Sequence, residues 1–396
     1  MFLDVLCRRN PKLIEQAIAL HQAGNLPANS YVIDLDAVEA NARTIKTAAD
    51  RLGLKVFAMT KQMSRSPSFC KAVARGGIGK AVAVDMEDAR ACHRAGLGIG
   101  HIGHLVQIPK AETSAAASLA PDYWTVFNSE KAAEAARAAK TRGRIQDLLA
   151  RIQTTGDTFY RGHEGGFALG DITEVADRLD GWAGARFAGI TTFPALLFDV
   201  AERRIVPTPN LQTLATAAEA LAKAGRRGIE INAPGTNSLV VLKALADAGA
   251  TQVEPGHGLT GTTPLHAIED MPEAPAVIYL SEVSHLHAGD AYCFGGGLYI
   301  DPVFPDYELK AIVACEPTVA TSALRSVEIP VPAAIDYYGM IDTETGPAAV
   351  GDSVVFGFRP QAFVTRANVV GLSGVRSTPV VETITDAYGN PVDWPM

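Results

Sequence analysis

Residues 55–85 read KVFAMTKQMSRSPSFCKAVARGGIGKAVAVD: two short apolar runs, 55–60 and 80–84, on either side of a more polar stretch. The alternation continues to about residue 255. Further runs stand at 103–106 (GHLV), 124–127 (WTVF), 149–153 (LARIQ), 187–192 (FAGITT), 228–232 (GIEIN) and 251–254 (TQVE). Ala-rich amphipathic stretches such as 129–141 and 211–224 lie between them, and Gly53, Gly96, Gly225 and Gly249 punctuate the helix ends. Strand and helix in strict alternation predict a parallel sheet, and eight such units predict closure into a (β/α)8 barrel of the TIM type. An open, doubly wound sheet is the alternative.

Working outward, the strand-like YVIDL (31–35) precedes the barrel. After residue 265 the texture changes. MPEAPAVIYL (271–280) opens a region poor in helical pattern and rich in Gly, Pro and β-branched residues, with runs at 276–280, 309–313, 327–331 and 353–358 that read as antiparallel strands. The expected organisation is an N-terminal segment, 1–54, packing in part with the C-terminal domain, then a barrel over 55–268, then a mainly β domain over 269–396.

The 396 residues carry a net charge of −8, which argues against nucleic acid and an anionic membrane surface as partners, since both need a basic face. Five cysteines, an odd number with no CxxC pair, point away from a disulfide framework or zinc finger and towards a reducing cytoplasm. No stretch approaches the roughly 18 apolar residues of a membrane span.

Active sites of such barrels gather at the C-terminal ends of the strands. That rule selects Lys61, Asp85, Gln107, Asn128, Asp157 with Arg161, Thr192 with Phe193, 232–238 and 254–258. Lys61 follows an apolar strand, where partial desolvation lowers an amine's pKa and makes it nucleophilic towards an aldehyde; by position alone it also reads as a solvated loop lysine. In NAPGTNS (232–238), Gly235 permits close backbone approach, and Thr236, Asn237 and Ser238 offer donors at a helix start, a phosphate seat or an ordinary N-cap. EPGHG (254–258) adds Gly256, His257 and Gly258, while Glu254 points inward and needs a cationic partner. Arg161 can meet a phenolate or carboxylate, or pair with Asp157. His285, His287, Asp290 and Cys293, and separately His101 and His104, match no closed zinc pattern, so no metal is expected.

At these residues the chain resembles the alanine racemase-like, fold-type III enzymes that use pyridoxal 5′-phosphate (PLP), most closely their YhfX-like branch, over nearly its whole length. YVIDLDAVEANARTI (31–45) resembles the family's opening strand and helix, and VFAMTK (56–61) the strand ending in the lysine that carries PLP as a Schiff base. The segment Gly156-Asp157 to Arg161-Gly162 resembles the one whose arginine meets the cofactor phenolate. Phe193, at the end of GITTF (189–193), stands where a ring stacks on the pyridine, and Asn237-Ser238 stand at the phosphate-binding pair. The resemblance implies a homodimer with shared active sites, the β domain of one subunit serving the other. Three stretches depart from the alanine racemase pattern. Gln62 to Pro67 is not the usual segment after the lysine. Glu254 stands where those enzymes have an Arg against the pyridine nitrogen, as in basic amino-acid decarboxylases of the same fold. Cys293-Phe294-Gly295 replaces Ser-Tyr-Gly.

The implied activity is a PLP-dependent reaction at Cα of a small amino acid, racemisation first, with Lys61 as one base and Cys293, Tyr337 or Tyr338 as the second. A PLP-dependent decarboxylase or lyase is the alternative among enzymes. A non-catalytic PLP-homeostasis protein is the alternative outside them, although such proteins generally stop at the barrel.

Overall fold

A computed structural model of the chain describes residues 1–299 and 308–395. It divides into two compact units. One holds Ala42–Thr60 and Val73–Gly258; the other holds Met1–Asn41, Lys61–Ala72 and Leu259–Met396.

The first unit is the parallel barrel. Its strands run Lys55–Val56 and Ala58–Met59, then Lys80–Ala83, Gly98–Ile102, Tyr123–Val126, Gln146–Gln153, Ala185–Thr191, Glu230–Asn232 and Gln252–Val253. The first strand is broken at Phe57. Its two halves pair with opposite neighbours, Lys55–Val56 with the last strand and Ala58–Met59 with Lys80–Ala83, and this closes the ring. Phe57 turns inward and packs with Met59, Val82, Val84, Tyr123 and Leu149 as the barrel's apolar plug. Gly100 makes room for it, because a Cβ there would lie 2.1 Å from the Phe57 ring.

The helix Ser129–Thr141 shows why the outer layer forms. The Asn128 side chain accepts from the Lys131 N–H at 2.9 Å and caps the start, and Ala132, Ala135, Ala136 and Ala139 fall at helical spacing on the buried face. One strand differs from expectation. The third lies at Gly98–Ile102 rather than 103–106. Two glycines dilute the apolar signal of GIGHI, whereas the GHLV run forms the loop beyond it. A hairpin, Leu196–Asp199 with Arg204–Pro207, is inserted after the sixth strand.

The second unit is mainly antiparallel. Val277–His287, Asp290–Phe294, Tyr338–Asp342, Leu324–Glu328, Lys310–Ala314 and Ser353–Phe356 pair in sequence around a closed ring of six. Ser30–Asp34 joins Val277–His287 on the outside, and Asn368–Ser373 and Val380–Thr385 extend the sheet. Two N-terminal helices, Phe2–Arg9 and Pro11–Gln22, put Leu3, Leu6, Leu13, Ile14 and Ile18 into the same core as Ile278, Leu280, Val355 and Val370. Lys61–Ala72 belongs to this unit as well: Lys61 Nζ lies 5.1 Å from the Phe363 ring centre, and the Ser68 and Thr383 hydroxyls are 2.6 Å apart. No helix among the described residues is long and apolar enough to cross a membrane.

Gly189 and Glu230 face each other on neighbouring barrel strands, and a Cβ on Gly189 would lie 2.0 Å from the Glu230 carbonyl oxygen. Backbone on both sides leaves little to yield. Gly189→Ala is expected to cost about 1–3 kcal/mol, the usual range for overpacking, read as a lower urea midpoint for the fluorescence of buried Trp124. An unchanged midpoint would mean that the two strands can separate without loss.

Candidate active site

The C-terminal ends of the barrel strands carry a buried polar layer centred on Glu254, which is 4% exposed. Its Oε1 lies 2.5 Å from His101 Nδ1 and accepts from the Asn232 side-chain amide at 2.9 Å. His101 Nε2 lies 2.6 Å from the Thr125 hydroxyl, and the Thr191 hydroxyl donates to Asn232 Oδ1 at 2.7 Å. A proton on Nδ1 donates to the carboxylate, and Nε2 meets the Thr125 hydroxyl. His104 Nε2 stands 3.4 Å from Glu254 Oε2, and that oxygen accepts no hydrogen bond among the described residues. The ligand-type atoms of His101, His104 and Glu254 all lie within 4.8 Å of one another. Within this trio His101 is held to Glu254 by a hydrogen bond, and His104 stands at ion-pair distance from the other oxygen.

The loop after the seventh strand is docked firmly. Gly235 has φ +154°, and the Thr236 N–H donates to the Leu196 carbonyl at 3.2 Å; a Cβ on Gly235 would lie 2.6 Å from that carbonyl. The Asn237 side chain is committed to structure, accepting from the Glu254 N–H at 2.7 Å. Gly258 packs on this loop so closely that a Cβ would lie 2.7 Å from the Asn237 carbonyl. Ser238 precedes the 3-10 turn Leu239–Val241 in extended conformation, wholly buried, and its hydroxyl has no partner among the described residues. A buried hydroxyl without a partner is costly, so the position suits an added hydrogen-bonding group. Gly256 is half-buried and His257 buried.

The remaining expected residues are placed as follows. Lys61 is half-buried and is the next residue after Thr60, at the end of the first barrel strand. Phe193 follows the sixth strand, its ring 5.7 Å from His104 and 6.0 Å from both Tyr160 and His163. Arg161 is fully exposed, and its partner is Glu164 at 3.7 Å rather than Asp157. In the second unit Cys293 is wholly buried on Asp290–Phe294, and burial pushes its thiol up to about 11. Tyr337 and Tyr338 are 61% and 36% exposed. Neighbouring Asp336 anchors them by accepting the Gly296 N–H at 2.9 Å and pairing with Arg366 at 3.0 Å. His285 stacks on Tyr292 at 4.6 Å.

Sequence reasoning missed how His101 and Asn232 hold Glu254. Their signal is parity: each is a polar residue near the end of a strand, where inward positions alternate with helix-facing ones.

Two families match this chain: the alanine racemase N-terminal domain over residues 33–264 and the YhfX-like C-terminal domain over 278–381. The uncharacterized protein YhfX of Escherichia coli (strain K12) is 39% identical over 393 residues, covering 98% of this chain and 99% of that protein. Among solved structures, D-threonine aldolase from Filomicrobium marinum superposes with a TM-score of 0.64 at 18% identity, covering 92% of this chain and 96% of that one. Alanine racemase from Clostridium difficile 630 gives 0.62 at 13%, covering 91% and 99%. D-threo-3-hydroxyaspartate dehydratase from Delftia sp. HT23 gives 0.64 at 18%, covering 91% and 97%. At these identities the structures share the fold.

Burial alone would raise the Glu254 carboxyl. His104 and His101, with hydrogen bonds from His101 and Asn232, outweigh it and hold the group below its ordinary value of 4.5. A carboxyl lower in the folded than in the unfolded chain adds stability that is fully present above the unfolded value and lost as pH falls through the folded one. Glu254→Gln should therefore be less stable than the parent at pH 7, and the gap should narrow below about pH 4, near the carboxylate range. Urea unfolding across pH 7 to 3 measures this; a gap independent of pH would mean that Glu254 is not ionised where it is buried.

Proposed function

The chain belongs to the alanine racemase-like family, in its YhfX-like branch, and from this we propose that it is a PLP-dependent enzyme acting at Cα of a small amino acid, most simply an amino-acid racemase working as a homodimer. The observation that carries the reading is the Ser238 hydroxyl. It is buried in the loop after the seventh strand, without a partner among the described residues, where Gly258 packs closely. A phosphate group would satisfy that hydroxyl. The second open acceptor, Glu254 Oε2, suits a protonated ring nitrogen.

When bound, PLP supplies an aldehyde for amino groups and an electron sink for the pair left at Cα. Lys61 would hold the aldehyde carbon and move the Cα proton with its amine. Ser238 with Gly235, Thr236, Asn237, Gly256, His257 and Gly258 would hold the phosphate, largely through backbone N–H groups, since the Asn237 side chain is committed to Glu254. Phe193 would flank the ring. Arg161, in the loop after the fifth strand, is assigned to the phenolate oxygen by resemblance. Glu254, kept ionised by its histidines, would keep the ring nitrogen protonated.

Inverting Cα needs a second acid/base on the opposite face. Cys293 is poorly suited, because a buried thiol raised to about 11 is a weak source of thiolate. Exposed Tyr337 and Tyr338 fit the role better, offered to the partner subunit of a two-fold dimer. Glu254 in place of arginine favours one alternative, a PLP-dependent decarboxylase or lyase, because a protonated ring is the deeper electron sink. The well-formed second unit counts against a non-catalytic PLP-homeostasis role. Five free cysteines fit a reducing, cytoplasmic setting.

Borohydride reduction of the PLP-loaded protein is expected to fix the cofactor on the peptide containing Lys61, and Lys61→Ala is expected to abolish capture; covalent trapping at another lysine would overturn the assignment. Ser238→Ala should weaken PLP binding about tenfold to a hundredfold, the loss of one hydrogen bond to a charged group, as followed by fluorescence titration. Incubation with single L- and D-amino acids in D₂O should exchange the Cα hydrogen of the true substrate, and chirality of the product separates racemisation from decarboxylation or elimination.

A further inference from the structure

Along the chain His101 and His104 match no closed zinc pattern, because the carboxylate they meet comes from the end of the last barrel strand, 153 positions beyond His101. The closed ring of strands brings the three together out of water: the side chains of His101, His104 and Glu254 are 0%, 1% and 1% exposed. Two atoms bound to one tetrahedral ion at about 2.0–2.1 Å stand about 3.3 Å apart. His104 Nε2 lies 3.4 Å from Glu254 Oε2, the spacing of two such ligands. His101 Nδ1 completes the group, all of it within 4.8 Å. Glu254 Oε2 is buried and accepts no hydrogen bond among the described residues, so the cluster has a negative acceptor open to an added cation.

His101 can change from hydrogen-bond donor to ligand without becoming charged. Its Nδ1 lies 2.5 Å from Glu254 Oε1 and its Nε2 2.6 Å from the Thr125 hydroxyl. A ligating nitrogen carries no proton. Losing the proton at Nδ1 and gaining one at Nε2 leaves the ring neutral, and the Thr125 hydroxyl then accepts from it. Nδ1 also draws back from Oε1, because 2.5 Å is closer than two ligands of one ion can stand. A histidine held through its other nitrogen by a polar neighbour is the usual outer support of a metal ligand, and Asn232, donating to Oε1 at 2.9 Å, supports the carboxylate in the same way. Two imidazoles with one carboxylate suit zinc and its d-block neighbours, whereas magnesium and calcium prefer oxygen ligands.

We propose that His101, His104 and Glu254 form a binding site for one divalent d-block ion of the zinc class, with water at its fourth position. Oε2 is also the oxygen assigned above to the ring nitrogen of PLP, and it cannot serve both. Metal and cofactor therefore compete for the barrel, and the zinc-loaded chain is a form held back from cofactor uptake. The competition rests on the PLP reading; the metal site does not.

The full chain, freed of cofactor, is titrated with Zn²⁺ by calorimetry and with Co²⁺ by absorbance, Mg²⁺ serving as the control. One ion per chain is expected, with the strong visible bands of four-coordinate cobalt and no response to magnesium. Glu254→Gln and His104→Gln, each checked for folding by circular dichroism, should lose that ion. Thr125→Val keeps all three ligands and removes the outer partner, so it should bind about tenfold to a hundredfold more weakly, and it decides the matter if the other two do not fold. The double substitution His285→Asn with His287→Asn, at exposed positions of the second unit, should change nothing. Protein whose PLP has been fixed by borohydride and then dialysed should no longer take up the ion. If no PLP can be fixed, the functional reading fails on its own and the titrations of the cofactor-free chain still decide the site. The site is overturned if that chain binds no zinc, if Glu254→Gln and His104→Gln bind it as the parent does, or if binding is lost with His285 and His287. Equal zinc binding with and without fixed PLP would overturn the competition alone.

Discussion

A carboxylate taken out of water must find donors in the protein or give up its charge. Glu254 meets that demand at the end of the last barrel strand, and the residues around it are arranged accordingly. His101 and Asn232 donate, His104 stands across from the second oxygen, and Thr125 and Thr191 fix the two donors in turn. They come from five different strands or strand ends, His101 and His104 sharing the third, so the polar layer can exist only once the ring has closed. Closure in turn depends on the broken first strand, whose halves at 55–56 and 58–59 reach opposite neighbours. The same strand ends at Met59, two residues before Lys61 in the chain.

The electrostatics of the site follow a simple division. Where the barrel interior holds a negative group, cationic or polar partners from the chain itself surround it. Where it holds a positive group, at Arg151, the chain supplies aromatic faces and two carbonyls, and two donors have no partner among the described residues. Together with the idle Ser238 hydroxyl and Glu254 Oε2, these make up a set of open valences in one unit of the structure: a donor–acceptor hydroxyl, an acceptor and a cation. A ligand that brings phosphate and a ring N–H satisfies the first two at once.

Seven of the eight barrel strands were legible in sequence as apolar runs, because parallel strands buried on both faces carry a continuous signal. The third was not, since glycine contributes nothing to an apolar pattern and GIGHI has two. Helices were legible where alanine made the buried stripe, as at Ser129–Thr141. The glycine-bearing loops at 232–238 and 254–258 could be read as a ligand seat from residue type alone. What could not be read was the partnership of side chains distant in sequence. His101 lies 153 positions from Glu254. Arg151 passes in the run LARIQ as an ordinary charged residue, and only burial reveals it. The Cys293 thiol looked as available as the tyrosines at 337 and 338 until the closed ring of six strands enclosed it.

The path of the chain through the two units bears on how such a protein can be shuffled in evolution. Residues 61–72 leave the barrel, take their place with the second unit beside Phe363 and Thr383, and then return. The first 41 residues likewise lend a strand to a sheet built mostly from the last 120 or so, about one domain's worth of chain. A recombination event that kept the first 268 codons and exchanged the rest would preserve every barrel strand and still strip the segment beginning at Lys61 of the residues that support it. The two parts of the gene are therefore bound to travel together, and substitutions at Phe363 or Thr383 should be tolerated only in step with those at 61–72.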